Sequence, residues 1–526
     1  MWKEENNIVA SKNYDAIVVG SGVGGLGTAA ILAAKEKKRV LVLEKESFIG
    51  GRILSFYGKD NKIWIIDKPY EYKDFTKALG STGTWITHAK PDFETLIKQG
   101  MFNNSSCDGG HGLFWGDKSR TSFLCRFLEY PIWMKTNKGY AIVDNKDHTK
   151  WYQVEHGKPY QWMSDGGKEA RRLLRDMATM SFEQIERSRE SLGDFLKARN
   201  CSEENWIYIR NLAGSQTAMA DPFDMHVRDF LKYQAIAKDI QMTLVTGSVA
   251  TIDAGIGILD IAVQLSKAIK SNGGDIWTDS GVEEVVIENK KIKGVKIKTK
   301  KGIETIDAPI VVCNIPPKHA FKVIPEKNFP ADFAKEVKEK YYIPGLLTGF
   351  YYSEKRDWFR EKGIDPRSFT FLNGVCPQKK GLEMLDFVMS SFSWWANVCP
   401  SGINSMLFSI PLMREEMHDK SKVNACIAEA EQFLTENWPT WKKDTLFSFW
   451  TAGAEAYGHW RPIGKERPDN KCPWVDGLYF VGDQYGEKVW GGGVDGAALS
   501  AALCADAITG KDYEKQIFPE YHRSSW

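Results

Sequence analysis

The sequence predicts an α/β fold: a Rossmann-like parallel sheet with helices, interleaved with a mixed α+β domain. Three stretches carry the prediction. Residues 14–52, YDAIVVGSGVGGLGTAAILAAKEKKRVLVLEKESFIGGR, read as strand, glycine turn, helix, strand and second glycine turn. Residues 254–314 read as a turn, an amphipathic helix, a strand, a hairpin and another buried strand. Near the far end, DGLYFVGDQYGEKVWGGGVDGAALSAALCADAITG again runs from strand through glycines to helix. Strand–helix alternation of this kind builds a parallel sheet. A chain of 526 residues also leaves room for more than one core.

The first stretch sets the local chemistry. Asp15 to Val19 form a short apolar run rich in β-branched residues, as a strand buried on both faces requires. Gly20, Gly22 and Gly25 complete GxGxxG, with Val23 and Gly24 opening the helix. The glycines permit a tight turn, close approach to a pyrophosphate, and packing of helix on strand. The first N–H groups of that helix and its dipole then face the phosphates. A second buried strand, Val40 to Leu43, ends at Glu44 and Lys45, where an acid can accept from ribose hydroxyls. Gly50-Gly51-Arg52 follows as a second glycine turn. This ordered set resembles the flavoprotein superfamily that includes amine oxidases and phytoene desaturases. The resemblance implies FAD, with Arg52 near the diphosphate and flavin.

Composition narrows the class. The 70 basic and 68 acidic residues leave a net charge of +2, which gives no bulk field for nucleic acid. The start, MWKEENNIVASKNYD, lacks an apolar h-region and a cleavage site, and no run of about twenty apolar residues follows. Nine scattered cysteines without a CxxC pair point to reduced thiols, with no zinc site or other metal centre. A cytoplasmic location is expected, with peripheral membrane contact left open. The 19 tryptophans fit either ordinary core packing or an apolar substrate cavity. Aromatics gather at Phe392, Trp394 and Trp395, and again at Trp450, Tyr457 and Trp460.

Residues 53–107 are polar and irregular in pattern, and Asp108-Gly109-Gly110-His111 lies far from the GGR turn that such an element usually follows in the resembled family. The charged run from Lys168 to Arg199 reads as a solvated helical face, and residues 211–242 read as helical with a break at Asp221-Pro222. In the 254–314 stretch, Leu259, Ile261, Ala262, Leu265 and Ile269 carry the helix, and Gly273-Gly274 ends it. This resembles the return of the flavoprotein chain to its FAD domain; Val282, before Glu283-Glu284, takes the place of the valine that contacts adenine. Several strands and a helix are expected over 331–450. The implied organisation assigns 1–110, 246–325 and 451–526 to FAD binding, and 111–245 and 326–450 to the substrate side.

The C-terminal stretch resembles the phytoene desaturase branch, whose pattern is GLYLAGD followed by PGGGVPGA. Leu478 to Val481 form the strand, Gly482-Asp483 the turn, and Gly492, Gly493 and Val494 the start of the last helix. An aspartate there can bond ribityl hydroxyls, and a helix N-terminus favours negative charge at the flavin edge. The resemblance implies non-covalently held FAD. It also implies hydride transfer between flavin N5 and a carbon of an apolar, cyclic or polyene substrate, as desaturase, saturase or isomerase. Candidate acid/base groups near that face are Tyr485, Glu487, Tyr457 and His459. Two alternatives stand beside it: a flavin amine oxidase with Trp450, Tyr457 and Trp460 as an aromatic cage, and a non-enzymatic binder of prenylated partners similar to GDP dissociation inhibitors. The electron acceptor and the oligomeric state stay open.

Overall fold

The computed structural model describes residues 13–521 except 109–112, 115, 137–138, 145–146, 156–159, 162, 218–222, 224, 240–245, 251–256, 300–301, 341–343, 366–368, 376–385, 391–401, 456–466, 487 and 490–491. Strand β1 (Ala16–Val19) leads into helix α1 (Val23–Glu36) and strand β2 (Val40–Leu43). Helices α2 (Arg120–Phe127) and α3 (Asp260–Ser271) follow, then strands β3 (Asp275–Trp277), β4 (Val311–Cys313) and β5 (Leu478–Phe480), and helix α4 (Gly493–Thr509). The five strands form one sheet in the order β3-β2-β1-β4-β5. Every pairing is parallel, with Ile17 opposite both Leu41 and Val311. The chain leaves β1 toward β2 on one side, and β4 takes the other side. That reversal opens a crevice beyond the C-terminal ends of the strands.

Alternation within the strands explains why both faces are buried. Ala16, Val18, Val40, Val42 and Val312 pack toward α1, α3 and α4 in one core. Ile17, Val19, Leu41, Leu43, Val311 and Cys313 pack in another with Val285, Ile292, Val295, Ile297 and Ile306. Those partners come from an antiparallel sheet of Val282–Glu288, Lys291–Thr299 and Gly302–Asp307. Helix α1 is buried without interruption from Val23 to Ala33. Its small residues allow this: a Cβ at Gly27 would stand 2.9 Å from Ala501 Cβ in α4, and Thr28 Oγ1 donates to Ala501 O at 3.3 Å.

An eight-stranded sheet makes the second layer, running Trp151–Glu155, Gly139–Val143, Phe369–Val375, Asp386–Ser390, Asn404–Met413, Pro344–Ser353, Phe447–Gly453, Thr84–Lys90. Helix Lys420–Asn437 covers one face, where Trp358, Trp438, Trp441 and Trp450 are buried. The aromatic load there is core packing. Strand Thr84–Lys90 falls within the first segment expected for FAD binding, yet it pairs with Phe447–Gly453 at the sheet's edge.

Residues 53–107 are more regular than their pattern suggests. Ser55–Lys59, Lys62–Ile65, Lys68–Tyr70 and Ser106–Asp108 form an antiparallel sheet. Strands of three to five residues are too short to print a periodicity, and the first hairpin turns on Asp60 and Asn61, both at positive φ. The charged run 168–199 divides into three helices, because Ser181 and Ser191 each accept a hydrogen bond from the backbone three residues on and start a new one. Asp221-Pro222 lies outside the described residues.

Candidate cofactor and active site

The C-terminal edge of the parallel sheet gathers the two ends of the chain. Gly20 turns the chain out of β1 at φ +96°, which only glycine adopts freely. Its neighbour Ser21 accepts from Gly50 N at 3.0 Å, so the GGR turn lies on the first glycine turn. A Cβ at Gly51 would sit 3.3 Å from Gly22 Cα, and one at Gly24 would sit 3.0 Å from Gly482 Cα. Three glycine segments, separated by hundreds of residues, therefore touch backbone to backbone.

Arg52 and Asp483 close this arrangement. Arg52 Nη2 donates to Asp483 Oδ1 at 3.0 Å, and Gly493 N, at the start of α4, donates to Asp483 Oδ2 at 3.1 Å. Asp483 is buried, so its charge is held by a guanidinium and a helix N-terminus together. Arg52 Nη1 is buried without a hydrogen-bond partner. A Cβ added at Gly493 would meet nothing within 4 Å, and Gly493 has φ +61°. Gly492, one residue earlier, is extended at φ −132°.

Glu44 is buried at the end of β2 and holds the glycine turn from below. Ser21 N (2.9 Å) and Ser21 Oγ (2.6 Å) donate to its Oε2, and Glu46 N donates to Oε1 at 2.9 Å. Burial pushes the Glu44 carboxyl above its usual range, against the pull of these donors. Ser280 N donates to Glu44 O at 2.8 Å, which brings the segment before Val282 beside the acid. Lys45 turns away: its ammonium pairs with Glu46 at 3.1 Å and donates to Ser81 O at 3.3 Å, with the side chain 65% exposed. Val23 is buried in α1 and Val494 is half-buried at the start of α4, both packed in the helix-side core.

The acid/base candidates fare differently. Tyr485 is buried on the far side of the sheet, donating to Ile315 O at 2.7 Å and stacking on Phe480 at 5.0 Å. It is a packing residue, because the turn that points Asp483 toward Arg52 sends Tyr485 under the strands. Glu487, Tyr457 and His459 lie outside the described residues, as do His111, Phe392, Trp394, Trp395 and Trp460. Trp450 does not wall a cavity. It is 2% exposed, donates Nε1–H to Tyr351 OH at 3.0 Å and stacks on Phe408.

Sequence reading missed the residues that brace the glycine turns. With its amide set to satisfy both neighbours, Asn314 donates to Val481 O at 2.9 Å and accepts from Gly22 N at 3.0 Å. Ser500 Oγ accepts from Gly482 N and from Asn470 Nδ2, each at 3.1 Å. The signal was a polar residue ending a buried strand, and a serine on a helix otherwise made of small apolar residues.

These features fit FAD. A glycine cradle at a helix N-terminus suits a pyrophosphate, and the unpartnered Arg52 Nη1 sits where an anionic group can meet it. A family model described as flavin containing amine oxidoreductase matches residues 23–509. The chain belongs to this family. By family it is a flavin-containing oxidoreductase. Over 106 residues this flavoprotein is 31% identical to soluble pyridine nucleotide transhydrogenase of Vibrio cholerae, a match covering 18% of this chain and 22% of that protein. Over 47 residues it is 60% identical to chloroplastic prolycopene isomerase of Arabidopsis thaliana, covering 9% and 8%. The chain thus spans 22% or less of the length of these curated relatives.

Solved structures resemble it along almost the whole chain. An oxidoreductase from Methanosarcina mazei superposes with TM-score 0.63 at 16% identity, covering 95% of this chain and 100% of that one. Putrescine oxidase bound to putrescine gives 0.58 at 12%, covering 95% and 100%. A Rab GDI from Plasmodium falciparum gives 0.52 at 13%, covering 95% and 99%. What these three share with the flavoprotein is its fold. Among the described residues, no helix is long and apolar enough to cross a membrane.

One consequence concerns Glu44. Glu44→Ala is expected to weaken FAD binding by about 1.5–3 kcal/mol, the range for hydrogen bonds to charged groups. The protein should still fold with FAD in excess. Titration by flavin fluorescence checks this, and unchanged affinity would make Glu44 a brace for Ser21 alone.

Proposed function

We propose that the flavoprotein acts on carbon–carbon bonds of an apolar substrate, as a desaturase, saturase or isomerase, with FAD held non-covalently. The observation that carries this reading is Asp483, fixed between Arg52 and the N-terminus of α4 ahead of a glycine-rich helix start. It is the arrangement that resembles the phytoene desaturase branch, and the stretch 60% identical to prolycopene isomerase supports it. When bound, the flavin supplies hydride transfer at N5. The chain's own residues then do the rest. Arg52 neutralises phosphate or flavin charge, Asp483 accepts from ribityl hydroxyls, and the first N–H groups of α4 favour negative charge at the flavin edge. Val282 and Glu44 take the adenosine end. Peripheral membrane contact would suit such a substrate.

Amine oxidation is the second reading, favoured by the likeness to putrescine oxidase. Trp450, locked between Tyr351 and Phe408, is withdrawn from the aromatic cage that reading needs. Anaerobic mixing with a panel of polyenes, cyclic alkenes and amines separates the two. Bleaching of the flavin by a saturated precursor, or turnover of alkenes by pre-reduced enzyme, is the expected result. Bleaching by amines alone would replace this reading with the second.

A further inference from the structure

Two helix N-termini converge on Asp495, a residue that flavin chemistry does not require to be acidic. Asp495 is the third residue of α4 and is 8% exposed. Its Oδ1 accepts from Thr121 N at 3.2 Å and from Thr121 Oγ1 at 2.7 Å. Thr121 is the second residue of α2, whose first turn is capped by Ser119 accepting from Ser122 N at 3.2 Å. Asp495 Oδ2 is buried with no hydrogen-bond partner. Beside it lies the Arg120 guanidinium, 1% exposed and seated 5.1 Å from the Tyr521 ring. Burial pulls the Arg120 guanidinium below its usual range, and Tyr521, Tyr233 and Glu514 also contribute to the field there. A guanidinium keeps its proton inside proteins and so needs a counter-charge. Asp495 is the carboxylate in its field; burial pushes that carboxyl above its usual range, while Arg120, the Thr121 donors and the two helix ends pull toward the ionised form.

We propose that Asp495 sets the reduction potential of the bound flavin, lowering it by opposing the positive end of α4, while Arg120 partly offsets that effect. The proposal rests on the reading that places the flavin at this helix end. The N-terminus of a helix carries about half an elementary charge. A buried carboxylate in the first turn is of opposite sign and poorly screened, so it counters the stabilisation that α4 offers to charge arriving with electrons. The related pattern GGGVPGA holds proline where this chain has Asp495. Proline tolerates the first helical turn, so helix initiation does not demand the acid. Asp495 is a positioning residue whose influence reaches the flavin through the field.

The test is potentiometry of the FAD-loaded protein against reference dyes, with FAD affinity measured separately by fluorescence. Asp495→Asn keeps the shape of the side chain and the bonds from Thr121 while removing the charge; its midpoint potential should rise. Asp495→Pro should shift in the same direction, which keeps the test alive if the buried amide of the asparagine variant impairs folding. Arg120→Met should shift the midpoint downward, and the double variant should return toward the starting value. An unchanged midpoint in FAD-replete Asp495 variants, or shifts of one sign in the Asp495 and Arg120 variants, would overturn the proposal. Neither result touches the cofactor reading, which fails only if the unaltered protein takes up no FAD.

Discussion

An Asp483→Ala variant is expected to lose its flavin during purification. Asp483 holds Arg52 at 3.0 Å and the Gly493 N–H at 3.1 Å, so one truncation strips both partners. Breaking a buried ion pair on one side costs ~3–5 kcal/mol when both groups are fully desolvated. The Arg52 side chain is 30% exposed, so water recovers part of that and about 2–3 kcal/mol is expected. The same loss in binding corresponds to a roughly 30- to 150-fold weaker FAD affinity. The flavin-to-protein absorbance ratio after gel filtration reads the outcome. Retention of stoichiometric flavin would show that the Arg52–Asp483 contact is dispensable.

Gly25→Val should fail more completely. A Cβ at Gly25 would overlap the carbonyl oxygen of Gly20 and press on Asn314, whose amide braces the turn. Neither Gly20 O nor the axis of α1 can move without parting β1 from its helix. The cost lies at or above the upper end of the ~1–3 kcal/mol typical of overpacking, and FAD binding is lost with it. Gly80→Ala is the control: Gly80 lies in helix Tyr72–Ser81, and its Cβ would meet nothing within 4 Å. That change should leave stability the same or raise it by up to ~1 kcal/mol. Thermal melts with and without added FAD compare the two.

The cofactor half of the fold was legible because its chemistry is local. Buried parallel strands print as unbroken apolar runs, and Gly20, Gly25 and Gly493 stand where backbone approaches backbone or φ turns positive. That Asp483 and Arg52 would meet could be expected only from resemblance, since 431 positions separate them. Braces such as Asn314, Ser21 and Ser500 stayed hidden, because a single polar residue at a strand end or on an alanine-rich helix carries no pattern. Tyr485 was misplaced by reasoning from chain position: two residues past Asp483, the turn has already carried the side chain beneath the sheet. Trp450 shows the same limit on the substrate side. Alternation along Phe447–Gly453 sends Phe449 to one core and Trp450 to the other, and composition alone cannot say which face a ligand would see.

The most direct test of the flavin site is acid precipitation of the purified protein, followed by an absorbance spectrum of pellet and supernatant. The expected result is a yellow preparation that releases one FAD per chain into the supernatant and leaves a colourless pellet. A yellow pellet would contradict non-covalent binding. A colourless preparation that takes up no added FAD would contradict the assignment of the Arg52–Asp483 crevice as a flavin site.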